Sequence, residues 1–123
     1  MRWLIRIPFV VASAAMSMSC AASVARGPVM TPDGVRFTLE HAAATSVSVA
    51  GDFNDWSPSA HPLTQNGSGK WSVVVALPAG EHKFMFVVDG GQWMVPPLAE
   101  DYVDDGFGSR NGVVIVRSGD NVR

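Results

Sequence analysis

Two tryptophans stand where their rings could meet a ligand. Trp56 lies in the polar, turn-rich run Gly51-Asp52-Phe53-Asn54-Asp55-Trp56-Ser57-Pro58. That run follows a strand and holds too many turn formers to continue it, so the ring falls on a loop or loop edge. Trp93 follows the hairpin signal Asp89-Gly90-Gly91 and is the second ring placed for partial exposure. Exposed aromatic rings near amides and carboxylates are what a sugar-binding face needs. A pyranose stacks its C–H faces on flat rings and offers its hydroxyls to polar side chains. Such pairs also serve protein interfaces, so spacing alone leaves that alternative open. Packing is a third use: Phe53 and Trp56 could plug one end of the fold, and Trp93 could be a buried strand-end aromatic.

Other chemistry is poorly supported. Carboxylates occur at Asp52, Asp55, Asp89 and in Glu100-Asp101-Tyr102-Val103-Asp104-Asp105-Gly106. Glycoside hydrolysis needs two of them about 5–9.5 Å apart across a cleft, and a small sandwich has no deep cleft. No serine or cysteine nucleophile motif accompanies them, so the chain reads as non-catalytic and without a cofactor. The acidic run offers Asp101, Asp105 and Gly106 to a calcium-loop pattern, but Val103 and Gly112 fall at liganding positions. It reads as a solvated loop holding no metal. His41, His61 and His82 lack metal-ligand spacing, and the strand parity of His82 points to a packed, hydrogen-bonded ring.

The 123 residues suit one domain. Nine Lys and Arg face eleven Asp and Glu, an acidic balance that argues against binding to a phosphate backbone. The single cysteine, Cys20, can form neither an internal disulfide nor a zinc cluster. Residues 1–25 read as a secretory signal peptide, with Arg2 and Arg6 ahead of an apolar run from Ile7 to Met18 and small residues after it. That run is too short to span a membrane. Ser23-Val24-Ala25 fits ordinary cleavage and release, whereas Ser17-Met18-Ser19-Cys20 is an imperfect lipoprotein box that would lipidate Cys20. The expected location is extracytoplasmic, in a bacterium-like cell.

Short alternating runs position these residues. Val35, Phe37 and Leu39 share one face, as do Val47 and Val49, then Trp71, Val73, Val75 and Leu77, then His82, Phe84, Phe86 and Val88. Gln92 to Val95 and Val113 to Val116 complete the set. About six to eight short strands with frequent turns predict an antiparallel β-sandwich of immunoglobulin-like size over residues 31–118, with a short tail at 119–123.

The ordered motifs Val47-Ser48-Val49-Ala50-Gly51-Asp52-Phe53-Asn54-Asp55-Trp56, Pro62-Leu63-Thr64, Gly69-Lys70-Trp71, Leu77-Pro78-Ala79-Gly80-Glu81-His82 and Phe86-Val87-Val88-Asp89-Gly90 resemble the glycogen-binding domain of the AMP-activated protein kinase β subunit. They are also similar to the early-set module of isoamylases and branching enzymes. The resemblance implies an early-set, all-β sandwich and an α-1,4-glucan ligand stacked on Trp56 and Trp93. By the same resemblance Phe107, Ser109 and Asn111 in Gly106-Phe107-Gly108-Ser109-Arg110-Asn111 take the positions of the family's leucine, threonine and asparagine. Met85 stands where the family has lysine, and Lys83, two residues earlier on the same strand face, is the substitute cation. An extra glycine precedes Trp93, and Pro96-Pro97 replaces the family's Asp-Pro. Two functions follow: an exported, non-catalytic glucan-binding module, or an exported immunoglobulin-like domain that has lost glucan binding and contacts another envelope protein.

Overall fold

The computed structural model describes residues 27–119. Residues 1–26, on which the expected signal peptide and Cys20 fall, and residues 120–123 of the expected tail lie outside the described residues. Within them the chain forms nine strands and no helix. These are β1 (Val29–Thr31), β2 (Gly34–Glu40), β3 (Val47–Gly51), β4 (Thr64–Gln65), β5 (Lys70–Val75), β6 (Gly80–Val88), β7 (Gln92–Met94), β8 (Asp101–Asp104) and β9 (Arg110–Val116). They make an all-β sandwich of two antiparallel sheets, one in the order β1-β2-β5-β4, the other β3-β6-β9-β8 with β7 also on β6.

The alternating faces meet between the sheets. Val35, Phe37 and Leu39 of β2 pair with Val75, Val73 and Trp71 of β5, while Phe84, Phe86 and Val88 of β6 stand with Val114 and Val116 of β9 in the same core cluster. Phe37 of one sheet meets Phe84 of the other edge to face at 4.9 Å, and Phe84 meets Phe86 at 5.8 Å. Edge-to-face packing of this kind adds to the burial of the rings themselves. Trp71 is core as its parity demands, and its indole N–H donates to the His41 carbonyl at 2.9 Å.

Two sequence expectations need correction. The strand count exceeds six to eight: β7 falls where Gln92 to Val95 was expected, but β1 and β4 are three- and two-residue pairings too short to show a period, and β8 adds a third. The acidic run is not simply a solvated loop: Asp101–Asp104 is an edge strand paired with β9, Tyr102 opposite Gly112 and Val103 opposite Asn111. Charge hid it, and charge suits it, since an acidic edge discourages pairing with a second chain. Its inner face is held by the Tyr102 hydroxyl donating to the Pro96 carbonyl at 2.9 Å and by the Arg110 guanidinium 4.8 Å from the tyrosine ring centre.

Candidate functional site

Part of the outer face of the five-stranded sheet is buried. Ala50, Met85, Val87 and Val113 are all buried, yet none belongs to the cluster between the sheets. Parity explains this: residues facing each other across an antiparallel pair share a face, and Met85 opposes Ala50, Val87 opposes Ser48, and Lys83 opposes Val113. These side chains form an apolar floor on that face. Asn111 is on the same face, and one step beyond the last β6–β9 pair the register sets it level with Met85.

Trp93 shares this face at the edge of the floor. It opposes Val87 in the β6–β7 pair, and is 44% exposed where Val87 is 1% exposed. The packed strand-end alternative therefore does not hold for Trp93. The turn before it is pinned by Asp89, which takes a positive φ of 53°. Asp89 Oδ1 accepts from the Thr45 amide at 2.8 Å, the Thr45 hydroxyl at 2.9 Å and the Ser46 amide at 3.2 Å. These bonds favour the carboxylate and hold its pKa below the ordinary value, the Thr45 backbone bond contributing most.

Trp56 rides a loop bound to the same sheet. The loop leaves β3 at Gly51 and returns along the outer edge of β3, where Val49 donates to the His61 carbonyl at 3.0 Å and Leu63 to the Val47 carbonyl at 2.8 Å. Inside it, the amides of Asn54 and Trp56 both donate to the Gly51 carbonyl, at 3.1 and 2.9 Å. Asp55 and Trp56 take positive φ of 55° and 58°, a conformation that L residues adopt only when held. Phe53 and Trp56 part company here. Phe53 plugs the sandwich end, stacked at 5.8 Å on Phe37, whereas Trp56 is half-buried outside the set that packs on the core.

Gly51 allows this turn. A Cβ there would lie 2.4 Å from both the Lys83 carbonyl and the Phe53 ring. Beyond it Asp52 prolongs the ladder, its amide donating to the Lys83 carbonyl and its Oδ2 accepting from the Lys83 amide, both at 3.1 Å. Lys83 is thus level with the start of the Trp56 loop, two residues and about 7 Å along β6 from Met85. Neighbouring strands lie about 4.8 Å apart, so with β6 between them β3 and β7 are about 10 Å apart across the sheet, and Gly51, opposite Phe84, is offset from Trp93, opposite Val87, by three residues or about 10 Å along β6.

Phe107, Ser109 and Asn111 come from the β8–β9 hairpin. Because β9 runs antiparallel to β6, the tip at 105–109 projects toward the end of β6 that carries β7. Asp105 shapes that tip, its Oδ1 accepting from the amides of Phe107 at 2.7 Å and Ser109 at 3.0 Å. Phe107 is 94% exposed. Ser109 and Asn111 are half-buried.

Reading the sequence alone missed the residues that hold these positions: Asp89, Asp105 and above all Asn54. The composition of the turn runs was the signal, since Asn and Asp side chains bond nearby backbone in such turns. His82 is packed and hydrogen-bonded, its Nε2 2.8 Å from the Pro78 carbonyl and its Nδ1 3.6 Å from Asp52 Oδ1. Among the described residues no helix is long and apolar enough to cross a membrane.

Residues 34–122 match the family described as the glycogen recognition site of AMP-activated protein kinase. The chain is similar to the 1,4-alpha-glucan branching enzyme GlgB of Deinococcus radiodurans, 44% identical over 61 residues, which is 48% of this chain and 9% of that enzyme. It is likewise similar to the branching enzyme of a Bradyrhizobium strain, 39% identical over 70 residues, 56% of this chain and 10% of the enzyme. Subunit beta-1 of the rat 5'-AMP-activated protein kinase is 36% identical over 74 residues, 60% of this chain and 26% of the subunit. The chain therefore spans a tenth to a quarter of these relatives' lengths.

Proposed function

The chain belongs to the glycogen-recognition family of the AMP-activated protein kinase, a family of non-catalytic carbohydrate-binding domains, and on that premise we propose that it is an exported α-glucan-binding module. Its ligand is glycogen, starch or a maltooligosaccharide, and its site is the outer face of the five-stranded sheet. Trp56 and Trp93 stack successive glucose units, Lys83, Ser109 and Asn111 bind hydroxyls, and Phe107 closes one edge. The observation that carries this reading is the exposed Trp93 ring beside a buried apolar patch on the same face of the sheet to which the Trp56 loop is also tied.

Such a platform is open and wet, so short oligosaccharides bind weakly. By analogy with aromatic stacking of bases, each ring contributes about 1–3 kcal/mol, and loss of 1.4 kcal/mol is a factor of ten. The test is affinity electrophoresis in glycogen, with maltoheptaose calorimetry, on the mature domain. Wild type should be retarded, and Trp56→Ala and Trp93→Ala should each bind about tenfold more weakly while remaining folded. Absence of retardation would replace this reading by the protein-interaction one, for which exposed Phe107 and Leu98 are the anchors.

The extracytoplasmic location rests on the leader, with the domain over residues 31–118 and release preferred to a lipid on Cys20. Mass spectrometry of the native N-terminus decides it. An intact Met1 would end the export proposal, and a lipidated Cys20 would replace release by anchoring.

A further inference from the structure

The Trp56 loop is closed by one side-chain amide. Asn54 Oδ1 accepts from the Gly51 amide at 3.0 Å, and its Nδ2 lies 3.0 Å from the Val49 carbonyl and 2.9 Å from His61 Nδ1. The backbone fixes which way this amide points. An N–H must meet the amide oxygen and a carbonyl must meet the amide nitrogen, so Nδ2 has one hydrogen for Val49 and one for His61. His61 Nδ1 must then accept, which only a neutral ring with its proton on Nε2 can do. The same ring is edge-on to Phe53 at 5.9 Å, and its backbone carbonyl is bonded to Val49.

We propose that neutral His61, acting through Asn54, is a positioning residue for Trp56, so that protonation of His61 releases the Trp56 loop. Combined with the glucan reading above, on which this part rests, glycogen affinity should fall as the solution is acidified. Protonation would set an N–H against the Asn54 N–H and cost that bond. The titratable groups sharing the hollow are Asp52 and His82; the neighbouring segment Val75-Ala76-Leu77-Pro78 brings none. His82 faces an acceptor at both ring nitrogens, Pro78 O and Asp52 Oδ1, so a proton there breaks no contact.

The experiment has two arms on the mature domain, spanning pH 7.5 to 5, where imidazoles ordinarily change charge. Nitrogen-15 NMR without glucan reads the His61 tautomer and the Trp56 amide. Affinity electrophoresis reads the ratio of glycogen affinities at the two pH values. Nε2 should carry the proton of neutral His61, and the Trp56 amide should shift in step with His61. Wild type should lose about three- to tenfold in affinity, the value of one hydrogen bond. His61→Asn puts a non-titrating oxygen at the Nδ1 position and should bring the ratio close to one. A proton on Nδ1 of neutral His61, a Trp56 amide indifferent to His61, or a wild-type ratio in His61→Asn would each overturn the proposal. If the Trp56 amide follows His61 but glycogen is bound at neither pH, the positioning role stands and the glucan reading falls.

Discussion

Trp93 and Val87 are partners across the β6–β7 pair, one side chain open to solvent and the other buried. A hairpin of three residue pairs is marginal by itself. This one is held because β6 is also paired on its other edge with β3, and because Asp89 ties the turn to Thr45 and Ser46. The ring is therefore presented by a rigid element, which lowers the entropy lost on stacking a ligand.

Lys83→Met tests the substitute cation. Lys83 is exposed on the same face as Met85, at the Trp56 end of the floor. Removing its ammonium should weaken glycogen binding about three- to tenfold, the value of one lost hydrogen bond. The thermal midpoint should barely move, because Lys83 makes its ladder bonds through its backbone. Electrophoretic retardation and a thermal melt on the same sample check both.

Trp71→Phe should do the reverse. Its indole N–H bonds the His41 carbonyl between the sheets, away from the outer face. Losing that bond and part of the ring should cost about 1–3 kcal/mol, a drop in midpoint of several degrees for a small domain. Glycogen affinity should stay at the wild-type value below the transition.

Phe86→Ala removes a ring that is 2% exposed and packed edge-on to Phe84. The expected loss is about 3–5 kcal/mol, a large share of the roughly 5–15 kcal/mol typical of whole domains. A chemical-denaturation curve should show a largely unfolded protein at ambient temperature. A midpoint unchanged from wild type would contradict the core assignment.

Asp89→Asn isolates a charge. The folded-state pKa of Asp89 is lowered from 3.8 by the Thr45 and Ser46 bonds. The carboxylate therefore contributes stability fully above pH 3.8, and that contribution disappears as pH falls through the lower folded-state value. The amide tolerates the positive φ at this turn but carries no charge. Melting both proteins from pH 6 to pH 2 should show wild type ahead at the top of the range, and the gap closing below pH 3.8.

The sandwich was legible in the sequence because period-two alternation is a local consequence of burying one face of a strand. Phe37, Trp71, Phe84 and Phe86 all lie in the core that alternation assigns them, and the parity of His82 likewise found its half-buried place. Trp93 was legible as a ring after a tight turn. The burial of its neighbours was not: Met85 and Val87 fall on the strand face opposite Phe84 and Phe86, and only the pairing of β6 with β3, β7 and β9 makes them a buried floor. The edge strand β8 escaped notice because its charges mask a two-residue period that only pairing with β9 reveals. Asn54 and His61 were visible only as turn polarity and as a histidine without metal spacing. Their partnership spans seven residues, and it exists because β3 offers a carbonyl at Val49 and an amide at Gly51 to the same side chain. Local sequence determines which face a residue takes, whereas the register between strands distant in the chain decides which residues share that face, and with it the site.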